Sequence, residues 1–372
     1  MKFTVSSGEL LSRLTVVGKA IAVKSSIPIL DHFLFIISGN TLSIRGSDTE
    51  IVIDTTLEIS NVEGEGRYVV PGDKLCEYLR KLPEQPISFN INQETNTIET
   101  TTNYGITKQT VYDATEYPAI HEIDPNSTTT IKLDSDILIS GITKTVFATN
   151  TDEIRPALTG ILVEFKNNSV TFVATDSHKL SRYTVSQISY NEESSFILSR
   201  KPAQMLKNIL AKGELVKIEF NNKLVKFSTA SYTFICRLIE AVYPQYNNII
   251  PKDNPYTVTI NRNELINTIA RASVFTNGSY LVRLNCTSDS VKVSAQDTDL
   301  NCSAQESLPC TYDGNPLTIG FKANLLNELL TNLSSEEVKI NVGDPSRAGL
   351  LSPATPTENE DELMLLMPMM IN

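Results

Sequence analysis

The feature that most constrains the fold is a pattern that occurs three times along the chain. Asp48, Asp176 and Asp297 each follow a segment that alternates apolar and polar residues, as half-buried strands do. The three Asp-containing segments read "GSDTEIVI", "ATDSHKLS" and "AQDTDLNC". A repeat with a long period indicates that one supersecondary unit has been copied along the chain. The chain is therefore predicted to fold as three similar units of roughly 120 residues.

Two helical patterns recur at fixed places in each unit. Before the Asp segments lie "GELLSRLTVVGKAI", "DSDILISGITKTVF" and "RNELINTIARASVF". In the first, Leu10, Leu14, Val17 and Ile21 fall on one helical face. After the Asp segments lie "PGDKLCEYLRKL", "SRKPAQMLKNIL" and "KANLLNELLTNL". Each unit is thus predicted to hold two amphipathic helices and about six to eight short strands, which is an α+β fold class.

Turn-forming residues indicate where the units end. The stretches "IDPNSTTT" and "IPKDNPY" are rich in proline, aspartate, asparagine and serine. The predicted domains are residues 1–125, 126–251 and 252–372.

The sequence "VTFVATDSHKLSR" raises the possibility of a hydrolase, because Asp176, Ser177 and His178 stand together after a strand. Three adjacent residues do not easily converge on one atom, and no G-x-S-x-G elbow is present. An aspartate copied at three equivalent positions is better explained as a turn former. An enzyme with His178 as general base remains an alternative, but the sequence favours a protein without catalytic activity.

Metal and cofactor motifs are missing from the sequence. It contains three histidines, no P-loop, no G-x-G-x-x-G and no H-E-x-x-H. The acidic run "TENEDE" at 357–362 lacks EF-hand spacing and is predicted to be a solvated loop. Neither a metal nor a cofactor is predicted.

Cysteine usage and hydropathy indicate a cytoplasmic protein. The five cysteines are scattered without C-x-x-C spacing, which fits a reducing compartment. No apolar run approaches the ~18 residues of a membrane span, and the start lacks a signal-peptide core. No membrane partner is predicted.

Charge is distributed unevenly along the chain. The net charge is −11, yet the six segments with helical patterns and their flanks carry seven more basic than acidic residues. Lys and Arg are common on solvated helix faces because they are good helix formers, but that alone does not explain an offset this large. If the helices instead share one surface, that surface would bind DNA phosphates without sequence preference and with strong salt dependence.

Several motifs together resemble the bacterial sliding clamp family, the β subunits of replicative DNA polymerase III. They are "MKFTVSSGELL", "SIPIL" at 26–30, "ATDSHKLS" at 174–181 and "LMPMMIN" at the end. The resemblance implies three tandem DNA-clamp domains with helices lining the inside and β-sheets outside. It further implies a ring made by a head-to-tail homodimer around duplex DNA, with no catalytic activity. The implied partners are the clamp loader, the polymerase α subunit and other proteins that carry a clamp-binding motif.

The resemblance also implies a groove that binds partner peptides, here called the peptide groove. Its residues would be Arg155, Leu158, Thr175, His178, Lys179, Leu180, Pro244, Ile249, Leu365, Leu366, Met367, Pro368 and Met369. Flexible, polarizable Met side chains suit a surface that accepts several peptides. The chain departs from the family at Ser177, where Gly is frequent, and at Lys179 and Asn248, where Arg is frequent. These departures bear on which peptides are preferred.

The same resemblance assigns residues to DNA and to the dimer seam. Lys24, Arg80, Arg200 and Lys201 would contact DNA. Lys74, Ile106, Val274 and Phe275 would lie at the dimer interface, with Val274 and Phe275 ending a helix. A three-repeat protein-interaction scaffold that never meets DNA is the alternative function.

Overall fold

A computed structural model describes residues 1–21, 27–119, 123–124 and 127–371. The chain divides into two compact units. The first comprises Met1–Asp136 and Met205–Leu238, and the second comprises Ile137–Gln204 and Ile239–Asn372. Helices and antiparallel sheets alternate in both, so the predicted α+β class is confirmed. The predicted boundaries at 125/126 and 251/252 stay predictions.

The first repeat contains two α-helices and ten strands among its described residues. In chain order they are β1 Lys2–Ser6, α1 Ser7–Val17, β2 Phe33–Ser38, β3 Thr41–Ser47, β4 Ile51–Glu58, β5 Ser60–Glu63, β6 Gly66–Val70, α2 Gly72–Leu79, β7 Pro86–Asn92, β8 Thr97–Thr102, β9 Gly105–Thr110 and β10 Tyr112–Asp113. Short 3₁₀ helices occupy Gly18–Ala20, Pro28–Asp31 and Ala114–Glu116. The Ser6 hydroxyl caps α1 by accepting the Glu9 N–H.

The second repeat contains two α-helices and eight strands in its described part. They are β11 Thr129–Asp134, α3 Ser135–Thr145, β12 Gly160–Lys166, β13 Ser169–Thr175, β14 Lys179–Ser186, β15 Ser194–Ser199, α4 Arg200–Lys207, β16 Leu215–Phe220, β17 Leu224–Ser228 and β18 Tyr232–Arg237. Its 3₁₀ helices are Val146–Ala148, Pro156–Thr159 and Tyr246–Asn248.

The third repeat contains two α-helices and nine strands. They are β19 Tyr256–Asn261, α5 Arg262–Ser273, β20 Leu281–Cys286, β21 Ser290–Asp297, β22 Cys302–Pro309, β23 Thr311–Tyr312, β24 Leu317–Lys322, α6 Ala323–Asn332, β25 Glu337–Val342, β26 Gly349–Pro353 and β27 Glu360–Leu366. The Asn261 side chain caps α5 by accepting the Glu264 N–H.

Each compact unit holds two sheets, one of which joins strands of successive repeats. The first unit has the sheets β5-β1-β7-β8-β9 and β10-β6-β2-β3-β4-β18-β17-β16-β11. The second unit has β15-β12-β13-β14-β27-β26-β25-β19-β23 and β22-β21-β20-β24. In both nine-stranded sheets the repeats meet at one antiparallel pair, β4 with β18 and β14 with β27. The second repeat therefore contributes four strands to each unit.

The helices are shorter than the sequence patterns predict. Helix α1 ends at Val17, so Ile21 lies beyond the helix whose face it was predicted to share. Val274 caps α5 and Phe275 follows it, so neither ends the helix as predicted. Within their observed bounds the six helices carry eight basic and six acidic side chains. Much of the predicted positive charge, such as Lys19, Lys81 and Lys212, therefore lies just outside the helices.

The three repeated aspartates are turn formers, as predicted. The Asp48 carboxylate accepts the N–H groups of Glu50 and Ile51 at 3.2 and 2.8 Å. The Asp176 carboxylate accepts those of the residues two and three further on, both at 2.9 Å. The Asp297 carboxylate does the same at 2.9 and 3.2 Å. Side chains that bind their own backbone in this way fix the turn between two strands.

The acidic run at 357–362 is a loop in its first part only. Glu360 and Glu362 belong to β27, which corrects the prediction of a solvated loop. The Lys144 ammonium lies 2.8 Å from the Glu362 carboxylate, 3.3 Å from that of Glu360 and 4.3 Å from the Tyr183 ring centroid. Burial raises the pKa of Glu362, and the Lys144 hydrogen bond and charge oppose that rise.

Glu362 is expected to destabilise the folded protein progressively as the pH rises above the ordinary carboxyl range. With its folded pKa raised, the folded state keeps the proton to higher pH than the unfolded state. The thermal midpoint of the native chain should therefore fall relative to that of Glu362→Gln between pH 4 and pH 7. Scanning calorimetry would measure both, with the exposed Glu358→Gln as control. A Glu362→Gln curve parallel to the native one would contradict the expectation.

Candidate functional site

A buried apolar cluster brings together three of the residues predicted for the peptide groove. Leu158, from the 3₁₀ helix that precedes β12, packs with Leu180 of β14 and Leu365 of β27. The pairing of β14 with β27 places Leu180 directly opposite Leu365. The floor of the predicted groove is thus fixed by the sheet register, since one residue of slippage would turn both side chains to the other face.

A set of five exposed residues from the same prediction also belongs to the second unit. Its members are Arg155, His178, Pro244, Ile249 and Met367. The Met367 side chain is 45% exposed, although its N–H is held by the His178 carbonyl at 2.9 Å. Exposed apolar side chains next to a buried apolar floor can accept the apolar residue of a partner.

Lys179 differs from the exposed members because its side chain is buried. Its ammonium lies 2.6 Å from the Glu328 carboxylate on α6 and 3.2 Å from that of Asp176. These ion pairs compensate the burial of a charge that would otherwise be costly. Lys179 therefore supports the turn and the attachment of α6 more directly than it offers a contact to a ligand.

The turn next to the groove uses Ser177 in a backbone conformation that favours glycine. Its φ is 78°, and its N–H is held by the Thr175 hydroxyl at 3.1 Å. A residue other than glycine in that region costs on the order of 1 kcal/mol. The Ser177 hydroxyl lies 3.0 Å from the Arg155 guanidinium, which donates a hydrogen bond to it. Serine thus positions Arg155, which glycine cannot do.

Two tail residues that were predicted for the peptide groove, Leu366 and Met369, are not members of this apolar cluster. Leu366 is buried in the core of the third repeat, with Phe321 and Leu329. The Met369 N–H donates to the Gly320 carbonyl at 2.8 Å, and Met369 is half-buried. These residues anchor the tail to the third repeat.

Sequence reasoning missed two tyrosines that complete the floor. Tyr243 and Tyr246 are buried in the same cluster as Leu180. The Tyr246 hydroxyl donates to the Glu164 carboxylate at 2.9 Å, and burial together with that carboxylate raises the pKa of Tyr246 to about 12. The signal was present in "VYPQY", where aromatic residues flank Pro244.

The predicted seam residues are exposed. Val274 is 77% exposed, and Phe275 follows it on the same loop. Ile106 lies on β9, which is an outer strand of the five-stranded sheet. Lys74 on α2 pairs with Glu77 at 3.2 Å.

The residues predicted to contact DNA are divided between the units. Arg80 is the exposed C-cap of α2 rather than part of the helix. Arg200 and Lys201 are the first two residues of α4, and no acidic residue lies in that helix. Lys24 falls outside the described residues.

Comparison with known proteins decides the family. Three models of the DNA polymerase III beta subunit match the chain one after another. The N-terminal domain matches residues 1–121, the central domain 132–245 and the C-terminal domain 247–370. The chain belongs to the DNA polymerase III β-subunit family. Its function is that of a DNA sliding clamp, a non-catalytic processivity factor of DNA polymerase III.

Full-length relatives and solved structures agree with this assignment. The beta sliding clamp of Pseudomonas putida is 26% identical over 372 residues, covering 99% of this chain and 100% of the relative. The sliding clamp of Bacillus subtilis superposes with a TM-score of 0.91 at 25% identity, covering 100% of both chains. The Pseudomonas aeruginosa clamp bound to griselimycin gives 0.92 at 23% identity, again over 100% of both chains.

In residues 1–21, 27–119, 123–124 and 127–371, no group of three or more His, Cys, Asp or Glu side chains could hold a metal ion. In the same part of the chain, no helix has the length and apolar character needed to cross a membrane.

Proposed function

We propose that two copies of this β-subunit family member close head to tail into a ring around duplex DNA. The observation that carries the proposal is a pair of open sheet edges, β9 in the first repeat and β22 in the third. Neither strand has a buried residue in the single chain. Exposed edges invite pairing with another strand. A first-to-third arrangement would cover both edges and close the assembly.

Exposed apolar side chains near these edges support the same seam. Ile106 lies on β9, and Val274 and Phe275 lie after α5 in the repeat that contains β22. An apolar seam flanked by charges such as Lys74 resembles the core and rim of stable interfaces. The domain ranges 1–125, 126–251 and 252–372 then give a ring of six clamp domains with helices inside.

Contact with DNA is proposed to use basic side chains that bind phosphates. Arg80, Arg200 and Lys201 are the described candidates, and Lys24 is a further one. Such contacts carry no sequence information and weaken steeply with salt. Encirclement, rather than affinity, would then hold a chain with a net charge of −11 on DNA.

The peptide groove is proposed to bind the polymerase α subunit, the clamp loader and other partners in turn. The exposed Met367 and Ile249, together with the buried Leu180 and Leu365, support an apolar anchor site. Griselimycin, present in the Pseudomonas aeruginosa clamp structure, is a convenient probe of this groove. A cytoplasmic location is proposed as well, in agreement with five unpaired cysteines.

Retention on DNA tests the ring. After loading by a cognate loader with ATP, the protein should stay on circular plasmid at moderate salt and leave the same plasmid once it is linearised. Light scattering should give the mass of a dimer. Equal loss from both DNAs, or a monomer in solution, would contradict the ring and favour the alternative of a protein-interaction scaffold.

A further inference from the structure

The junction between the first and second repeats reproduces the framework of the peptide groove. At that junction β4 pairs with β18 so that Val52 lies opposite Ile235, just as Leu180 lies opposite Leu365. The Arg237 N–H donates to the Glu50 carbonyl at 3.1 Å. This bond occupies the same position in its sheet as the bond from the Met367 N–H to the His178 carbonyl.

The surrounding turns are equivalent too. The Leu30 N–H donates to the Ile27 carbonyl at 3.0 Å, and the Leu158 N–H donates to the Arg155 carbonyl at the same distance. Thr49 has a φ of 79°, within a degree of the value at the matching position of the groove turn. The first junction is therefore a second copy of the groove framework, built from different side chains.

A cavity of about 180 Å³ occupies this second framework, here called the upstream pocket. The lining residues used in the argument are Ile27, Arg45, Val52, Tyr117, Ile235 and Arg237. All of them belong to the first compact unit. The cavity is smaller than the roughly 300 Å³ of a site for a drug-sized molecule, so it suits one side chain.

Tyr117 gives the upstream pocket an unsatisfied polar group. Its side chain is 5% exposed and packs with Leu30 and Leu34. The hydroxyl lies near the Ser47 backbone without a hydrogen bond of good geometry to any described residue. Burial raises the pKa of Tyr117, so the phenol keeps its proton and remains a donor. A buried donor without an acceptor is destabilising, and a ligand oxygen would relieve that cost.

Two arginines line the same wall, and Asp54 compensates the charge of Arg45. The Arg45 guanidinium binds the Asp54 carboxylate through two hydrogen bonds of 2.7 and 3.1 Å. Arg237 is exposed at the mouth, where Glu50 is the acidic lining residue. The phenol and Arg237 thus offer donors beside the apolar side chains of Val52 and Ile235. A carboxylate next to an apolar side chain complements this arrangement.

We propose that the upstream pocket binds a partner peptide in which an apolar side chain is followed by a carboxylate. The apolar side chain would pack on Val52 and Ile235, and the carboxylate would accept from Tyr117 and Arg237. The class of ligand rests on the proposed peptide groove, whose framework this pocket repeats. The peptide sequence preferred by the upstream pocket differs from that preferred by the peptide groove, because the groove has Met367 where the upstream pocket has Arg237.

Methyl NMR on the full-length dimer separates the two sites. With labelled Ile, Leu, Val and Met methyls, Val52 and Ile235 report the upstream pocket, and Leu365 and Met367 report the groove. The probe is acetyl-Leu-Asp-amide, and acetyl-Leu-Asn-amide is its uncharged match. The aspartyl probe should shift Val52 and Ile235 saturably. Its dissociation constant should rise about three- to tenfold in Tyr117→Phe or Arg237→Gln, and the asparaginyl probe should bind the native chain weaker by a similar factor.

The other outcomes overturn the inference in distinguishable ways. Shifts confined to Leu365 and Met367 would leave the groove intact and show that the upstream pocket is not a site. Equal binding of the two probes would contradict the carboxylate assignment. If none of the four methyls shifts, the upstream pocket is not a binding site. Retention on circular DNA would still test the clamp function separately.

Discussion

Val274→Asp is expected to convert the proposed dimer into monomers at concentrations where the native chain stays dimeric. Burying one valine in an interface is worth about 1.5 kcal/mol, and a desolvated, unpaired carboxylate costs several kcal/mol more. The ring has two such seams, so a loss of about 4 kcal/mol at each, or about 8 kcal/mol in all, raises the dissociation constant roughly a millionfold. Sedimentation over a dilution series would measure it, and retention on circular plasmid should disappear with it.

Val242→Asp is the matched control for this experiment. Val242 is 91% exposed and lies outside the predicted seam, so the same substitution changes charge and apolar surface equally. Its dimer constant should stay within about twofold of the native value. If Val274→Asp dimerises as tightly as Val242→Asp, the first-to-third seam is wrong.

The repeated aspartates explain why the fold could be predicted from the sequence. Asp48, Asp176 and Asp297 form the same turn because a short carboxylate can bind two successive backbone N–H groups. That requirement is local, so it leaves a signature at fixed positions in each repeat. Alternation in the flanking strands is local as well.

Helix ends were predicted less well because tertiary context decides them. Apolar periodicity continues through Ile21, yet α1 gives way to a 3₁₀ turn after Val17. Sequence periodicity records which residues are apolar but not where backbone geometry changes. The basic charge predicted for the helices was too high for the same reason.

The candidate site shows the same division between local and long-range effects. The floor residues Leu158, Leu180 and Leu365 come from three distant segments, and only the family resemblance placed them together at the level of sequence. The burial of Lys179 depends on Glu328, which lies far away in the chain. No local pattern could have revealed that pairing.

Met367→Asp is expected to weaken binding at the peptide groove by about thirtyfold or more while leaving the dimer intact. The side chain is 45% exposed and directly follows β27, which contributes Leu365 to the buried floor, and the proposal has a partner's apolar residue cover it. Loss of that contact, with a charge placed against an apolar ligand, should cost about 2–4 kcal/mol. Affinity for griselimycin, measured by calorimetry, should therefore fall about thirtyfold or more.

Met370→Asp is the matched control for the loss of affinity in Met367→Asp. Met370 is 79% exposed in the same tail and is not among the predicted groove residues. Both variants introduce the same charge three residues apart, so they share any general effect on the tail. If the groove is where peptides bind, only Met367→Asp loses affinity, because Met367 directly follows β27 and its N–H bonds the His178 carbonyl beside β14. Equal losses in the two variants would instead place the ligand on the outer tail, and unchanged affinity in both would exclude Met367 from the site.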